Sequence, residues 1–141
     1  MKYKYLEHTA DLKFQAFGKS MEEAFANAAI AMFDFVTKTG QIEPKMEEKI
    51  EVQSEDNKSL LYDFLEQFLF LIDTKRFLLH EIKDIKIKRV NHEKLKLSAT
   101  AVGDAADHKY QIGGDIKAVT YNDMFIRKED DHYVVQVLMD I

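Results

Sequence analysis

Two short acidic segments, one near each end of the 141-residue chain, carry the residue types best suited to chemistry. The first is His8-Thr9-Ala10-Asp11, and the second is Asp140-Ile141, which follows the largely apolar run Val134–Met139. An ionised carboxylate beside so apolar a strand is costly unless a cation pairs with it, and the terminal carboxylate at Ile141 adds a second negative group. Because carboxylate and carbonyl oxygens are preferred ligands of hard cations, Asp11, Asp140 and an Ile141 oxygen are a candidate site for Ca²⁺, Mg²⁺ or Mn²⁺.

A plainer structural interpretation of these residues stays open at this point. In it Asp11 caps a turn, Asp140 pairs with a lysine, and His8 is a core histidine satisfied by the backbone; lone aspartates often have such roles. Lys117 interrupts the apolar segment Ile116–Tyr121. Its ammonium group either extends to water or neutralises the aspartates.

Other kinds of catalytic site have little support in the sequence. The absence of cysteine excludes disulfides, thiolate metal sites and a cysteine nucleophile. No phosphate-binding glycine loop or G-x-S-x-G motif occurs, and Gly113-Gly114 is interpreted as a bulge or turn. The histidines lack zinc-ligand spacing, and four of them are expected at the surface or in turns: His80, His92, His108 and His132.

Composition and charge narrow the class of protein further. A hydrophobic content of 46% without a long apolar run predicts one soluble domain spanning residues 1–141, with no membrane segment. The N-terminal residues do not resemble a signal peptide, so a cytoplasmic location is expected. The net charge of −5 argues against phosphate-driven nucleic-acid binding. The basic residues of segment 83–89 are interpreted as a solvated strand face.

Two segments are expected to form the helices. Ser20-Met21-Glu22-Glu23 fits a capping box and predicts a helix from Met21 to about Val36. A second helix is predicted from Leu60 to about Thr74, capped by Asp56, Asn57 or Ser59. Both are apolar on nearly every side, which is typical of helices covered on more than one face. We therefore expect a sheet above the helices and a sheet below them.

The remaining segments favour strands. They predict an α+β fold with the order β-α-β-α followed by four to five strands, in which two apolar helices are sandwiched between two mostly antiparallel sheets. The turn at residues 91–94 should join a hairpin, and Gly103–Asp107 should form a loop. The predicted strands are Tyr3–Phe17 (broken by the His8–Asp11 segment), Ile50–Val52, Ile82–Val90, Leu95–Val102, Ile112–Tyr121, Met124–Lys128 and Tyr133–Met139.

Over essentially its whole length the chain resembles the archease family. Each matching segment is modest alone, but their order and spacing are specific. The segments are Tyr5–Asp11, Gly18–Phe25, Leu60–Leu65, Ile116–Tyr121 and Met139–Ile141. The chain departs from the family pattern at Phe64, where a Trp is expected after the Asp, and at Asn122, where a His is expected.

The resemblance implies helices between two sheets and a role as an activator of the RtcB-type RNA ligase that joins tRNA halves after intron removal. Archeases promote guanylylation of that ligase, which allows multiple turnover, and can broaden its nucleotide use. The family's metal ligands correspond to Asp11, Asp140 and Ile141. His8 and Lys117 lie nearby in the pattern and are candidates for contacting the partner or supporting the ligands.

Two further functions use the same residues. One is a metal-dependent hydrolase or nuclease, and the other is a general chaperone or modulator of nucleic-acid-processing proteins. A hydrolase needs a base or nucleophile beside the metal, and only His8 offers one. A nuclease should carry a positive substrate-binding surface, against which the net charge argues. The sequence therefore favours a non-enzymatic activator that binds the ligase and forms no stable complex with nucleic acid.

Overall fold

The computed structural model describes residues 1–141 and places two helices between two antiparallel sheets. The elements, in chain order, are β1 (Tyr3–Leu6), β2 (Asp11–Gly18), α1 (Met21–Val36), a short 3₁₀ turn (Thr39–Gln41), β3 (Met46–Ser54), α2 (Asn57–Lys75), β4 (Phe77–Arg89), β5 (Leu95–Ala105), β6 (Ala118–Glu129) and β7 (His132–Asp140). One sheet has the order β1-β2-β7-β6 and the other β3-β5-β4. Each helix contacts strands of both sheets, which confirms the layered α+β arrangement.

Helix α1 begins at the predicted residue because its first turn is capped as the sequence indicates, and it ends at Val36, also as predicted. The Ser20 hydroxyl accepts a hydrogen bond from the Glu23 N–H at 3.1 Å. The Glu23 carboxylate accepts one from the Lys19 N–H at 3.3 Å. Phe25 and Phe33, about two turns apart on the helix, both have no exposed surface.

Helix α2 begins three residues before the predicted start because Asp56 and Ser59 cap each other. The Asp56 carboxylate accepts a hydrogen bond from the Ser59 N–H at 2.8 Å, and the Ser59 hydroxyl accepts one from the Asp56 N–H at 3.3 Å. The buried rings of Phe64 and Phe68 meet edge to face at 5.1 Å between centroids. Neither helix, nor any other in the structure, is long and apolar enough to cross a bilayer.

The predicted strand Tyr3–Phe17 is two strands. β1 and β2 form an antiparallel hairpin in which Tyr3 pairs with Ala16. Ala10, in the turn between them, adopts a left-handed backbone conformation with φ of 64°. The His8–Asp11 segment therefore reverses the chain instead of interrupting one strand, and the order becomes β-β-α-β-α followed by four strands.

The hairpin β4–β5 is longer than predicted, although its turn lies where expected. β4 starts at Phe77, and β5 continues to Ala105 through part of the predicted loop Gly103–Asp107. Gly103 allows this because a Cβ there would lie only 1.9 Å from the Leu78 carbonyl oxygen. The close approach of two backbones extends the pairing by three residues.

The predicted strand Ile112–Tyr121 begins only at Ala118, because residues 112–117 are irregular and pack on the end of α1. The Gly113 N–H donates a hydrogen bond to the Val36 carbonyl at 2.6 Å. A Cβ on Gly114 would lie 2.6 Å from the Phe35 ring. The glycine pair therefore allows close approach to the end of α1 and forms neither the predicted bulge nor a turn.

The structure also corrects the expectation for His80. His92 and His108 are exposed, but His80 is half-buried in β4, at the register shift between Leu79 and Glu81. Its Nδ1 atom is buried and has no hydrogen-bond partner. An alternation pattern alone does not reveal the bulge that turns this residue inwards.

Candidate functional site

The pairing of β2 with β7 places Asp11 directly opposite Asp140. The next pair, Leu12 with Met139, is buried against the helices. Because side chains alternate along a strand, both aspartates lie on the sheet face that points away from the helices. Directly opposite residues on antiparallel strands have Cβ atoms about 5 Å apart. Two carboxylates that are 129 positions apart in sequence are therefore neighbours in the fold.

Neither carboxylate of this pair has a lysine or arginine partner. Like charges directly opposite each other on neighbouring strands are destabilising. The His8 Nδ1 atom lies 3.1 Å from an Asp11 carboxylate oxygen, so His8 is a surface partner of Asp11 and not a core histidine. Asp140 is exposed and forms no ion pair, so the lysine partner of the plainer interpretation is absent.

Lys117 is held by its backbone at the same end of β2 and β7 as the two aspartates. We call this region, which contains His8, Asp11, Lys117, Asp140 and Ile141, the acidic corner. Its N–H donates a hydrogen bond to the Asp140 carbonyl oxygen at 2.8 Å, and the next residue, Ala118, pairs with Asp140. Ile141 follows immediately and is partly exposed. The tertiary structure therefore brings together all five residues singled out from the sequence: His8, Asp11, Lys117, Asp140 and Ile141.

The side chains at this corner offer oxygen donors, the ligand type that hard divalent cations prefer. No group of three or more histidine, aspartate or glutamate side chains is placed to hold a metal ion. Asp11 and Asp140 supply two oxygen-donor side chains, so further ligands would have to be Ile141 oxygens, other carbonyls or water, as is common for Ca²⁺ and Mg²⁺. Such an all-oxygen set is unsuited to a structural zinc ion.

A second surface feature was not found from the sequence. The rings of Tyr62, on α2, and Tyr121, on β6, stack with centroids 4.4 Å apart and planes 7° from parallel. Burial raises the pKa of both phenols, and neighbouring carboxylates add to the effect. No sequence signal indicates this contact, because it joins two segments that are 59 residues apart. Tyr121 lies at a register shift of β6 between Thr120 and Phe125.

Comparison with known proteins decides the family of the chain. The model of the archease protein family (MTH1598/TM1083) matches residues 3–141. The chain belongs to the archease family. The archease of Methanosarcina barkeri is 41% identical over 140 residues, which cover 99% of this chain and 95% of that protein. The archease of Methanothermobacter thermautotrophicus is 37% identical over 139 residues, which cover 99% of this chain and 98% of that protein.

A solved structure of an archease shares the architecture. The solution structure of Methanobacterium thermoautotrophicum protein 1598 superposes with a TM-score of 0.86 at 36% identity, and the match covers 99% of each chain. The sandwich of two helices between a four-stranded and a three-stranded sheet is therefore the archease fold. The corner formed by β2 and β7 is part of the region matched to the family model.

Proposed function

We propose that this archease activates an RtcB-type tRNA-splicing RNA ligase by promoting its guanylylation, so that each ligase molecule acts repeatedly. The observation that supports this role most strongly is the family match, which extends over residues 3–141 and includes both acidic segments. The activator itself is proposed to be non-enzymatic and cytoplasmic. It binds the ligase and not the RNA.

We further propose that a divalent cation (Ca²⁺, Mg²⁺ or Mn²⁺) is held by Asp11, Asp140 and an oxygen of Ile141. The register of β2 and β7 supports this, because it places the two carboxylates on one face. A bound cation would supply charge neutralisation between the strands and so stabilise the native state. Asp11 is oriented by His8, and the backbone of Lys117 fixes the Asp140 carbonyl.

The geometry favours an activator over a metal-dependent hydrolase. Hydrolysis needs a base within reach of a metal-bound water. The one imidazole at the corner, that of His8, lies 3.1 Å from Asp11. Such a pair can act as a base, so the openness of the site is the stronger argument against hydrolysis. The neighbouring side chains are exposed on an open sheet corner, whereas substrate sites are usually concave.

A turnover assay with the cognate ligase, tRNA halves, GTP and Mn²⁺ tests the proposal. The protein should convert the ligase from about one product per enzyme to many. Asp11→Ala and Asp140→Ala should each lose this effect while keeping the circular dichroism spectrum of the wild type. Lys83→Ala is the matched control, because it removes an exposed pair with Glu47 at 2.8 Å in the other sheet. It should activate normally.

Two results would contradict the proposal. Normal activation by both aspartate variants would show that the acidic corner takes no part in activation of the ligase. RNA cleavage by the purified protein with Mn²⁺, abolished in Asp11→Ala, would identify a nuclease instead of an activator.

A further inference from the structure

The stacked pair Tyr62–Tyr121 exposes an aromatic ring where α2 meets β6. Tyr121 retains 52% of its surface exposed even though the half-buried Tyr62 ring covers one of its faces. The other face is open to water. The cations that lie over aromatic rings elsewhere in this protein are those of Lys109, Arg127 and Lys128, and none lies over this pair.

Carboxylates of α2 and its cap lie near the pair. The pKa of Tyr121 is raised chiefly by burial and then by the negative charges of Asp63, Asp56 and Glu66, beside the coupling to Tyr62. Glu66 lies one helical turn after Tyr62, and the Asp63 carboxylate is fixed by the Ser54 hydroxyl at 2.5 Å. Lys58 is a basic neighbour of one of these carboxylates, and it helps to lower the pKa of Asp56.

The pair occupies a defined place on β6. Tyr121 lies at the start of the register shift that separates Thr120 from Phe125, and bulges of this kind re-aim side chains. The Thr120 hydroxyl accepts a hydrogen bond from the Asn122 N–H at 3.3 Å, which ties the irregular segment together. Ala118, the partner of Asp140, is three residues away, which corresponds to about 10 Å along a strand.

The ligand that suits this surface is a planar cation. An exposed aromatic ring with carboxylates nearby attracts positive charge and repels phosphate groups. A guanidinium group stacks on an aromatic ring and at the same time donates paired hydrogen bonds to a carboxylate, whereas an ammonium group lacks the planar surface. We propose that Tyr121, supported from behind by Tyr62, is a stacking platform for an arginine side chain of a protein partner. Glu66 or Asp63 accepts the hydrogen bonds of that arginine.

A peptide titration tests the platform without any partner protein. The probe is an acetylated and amidated Gly-Arg-Gly-Arg-Gly peptide, and the control is its lysine counterpart. The ring signals of ¹³C-labelled tyrosines are followed by NMR. The arginine peptide should shift the Tyr62 and Tyr121 signals and the lysine peptide should shift them several-fold less. Tyr121→Phe should keep the shift at Tyr62, and Tyr121→Ala and Glu66→Gln should reduce it.

Several outcomes would overturn the inference. They are equal responses to the two peptides, no response of either ring, or a Tyr62 response in Tyr121→Ala that equals the wild type. A short uridine RNA that shifts the two rings more than the arginine peptide does would also overturn it, since it would indicate a base-stacking surface.

The ligase assay tests whether the RtcB-type ligase is the partner that supplies the arginine side chain. This test alone rests on the proposed function. Tyr121→Ala should raise the archease concentration needed for half-maximal activation by about tenfold and leave maximal turnover unchanged. Tyr121→Phe should behave as wild type. Val90→Ala is the matched control, because Val90 is 49% exposed at the distant β4–β5 turn.

The two proposals fail in different ways. If the wild-type protein does not activate the ligase, the proposed function is wrong, and the peptide titration still decides whether the platform binds arginine. If the wild type activates and Tyr121→Ala needs no higher concentration, the platform does not bind the ligase and this inference is wrong.

Discussion

At the scale of single residues, the Asp11–Asp140 pair should link metal binding to stability. In metal-free buffer Asp140→Asn should unfold at the same or a higher temperature than wild type, because it removes one of two facing charges. Added Ca²⁺ or Mn²⁺ should stabilise only the wild type, by about 2.7 kcal/mol when the ion is present at a hundredfold excess over its Kd. Thermal unfolding with and without the ion measures both effects. Equal stabilisation of the variant would show that the ion binds elsewhere.

At the scale of elements, the start of α2 depends on an ionised cap. Hydrogen bonds from Ser59, first that of its backbone N–H, lower the pKa of Asp56 below its ordinary value of 3.8. The stability that this charge contributes is therefore complete above pH 3.8 and is lost as pH falls through the lowered pKa. Asp56→Ala should cost about 1 kcal/mol at pH 7, and the cost measured by urea unfolding should shrink in acid.

Asp56→Asn provides the control for this prediction. It keeps a capping oxygen without the charge, so its stability relative to Asp56→Ala should vary little with pH. A cost of Asp56→Ala that is constant from pH 7 into acid would mean that the ionised form contributes nothing to the cap.

Also at the scale of elements, the segment before β6 depends on its contact with α1. A Cβ at Gly114 would lie 2.7 Å from the Phe35 carbonyl oxygen, whereas at Gly113 the nearest atom is 3.6 Å away. Gly114→Ala should therefore lower the free energy of unfolding by about 1–3 kcal/mol, as overpacked sites do. Gly113→Ala should change it much less. Comparable losses in the two variants, measured by urea unfolding, would show that the close contact does not constrain this segment.

At the scale of the whole molecule, stability depends on aromatic rings that lie between the two sheets. Phe33 meets Phe68 of the other helix at 5.5 Å and Phe77 of β4 at 6.1 Å between ring centroids. Phe68→Ala should cost about 3–5 kcal/mol, as truncation of a fully buried aromatic does. Phe70→Ala, in the same helix and 58% exposed, should cost less than about 0.5 kcal/mol. Similar urea midpoints for the two variants would contradict the layered core.

Features that depend on nearby residues could be predicted from the sequence. The Ser20 cap and the apolar periodicity located α1, and the lack of a polar stripe on either helix indicated that both would be covered on two faces. Asp11, Asp140 and Ile141 were also singled out by the type of oxygen ligand that they offer, although Asp140 is exposed in the structure and not at a buried core edge. These signals come from residue types and from neighbours in the chain, so they can be recognised without knowing which strands pair.

Only the tertiary structure decided which residues meet. The reversal at Ala10, the register that places Asp11 opposite Asp140, and the Tyr62–Tyr121 stack all depend on contacts between distant segments. Strand alternation shows which face a side chain occupies but not its partner, and a shift by one residue would move every side chain to the opposite face. The sequence by itself determined the caps, the buried faces and the candidate ligands. Strand order, register and bulges decided their neighbours, because these are set by the packing of the whole core.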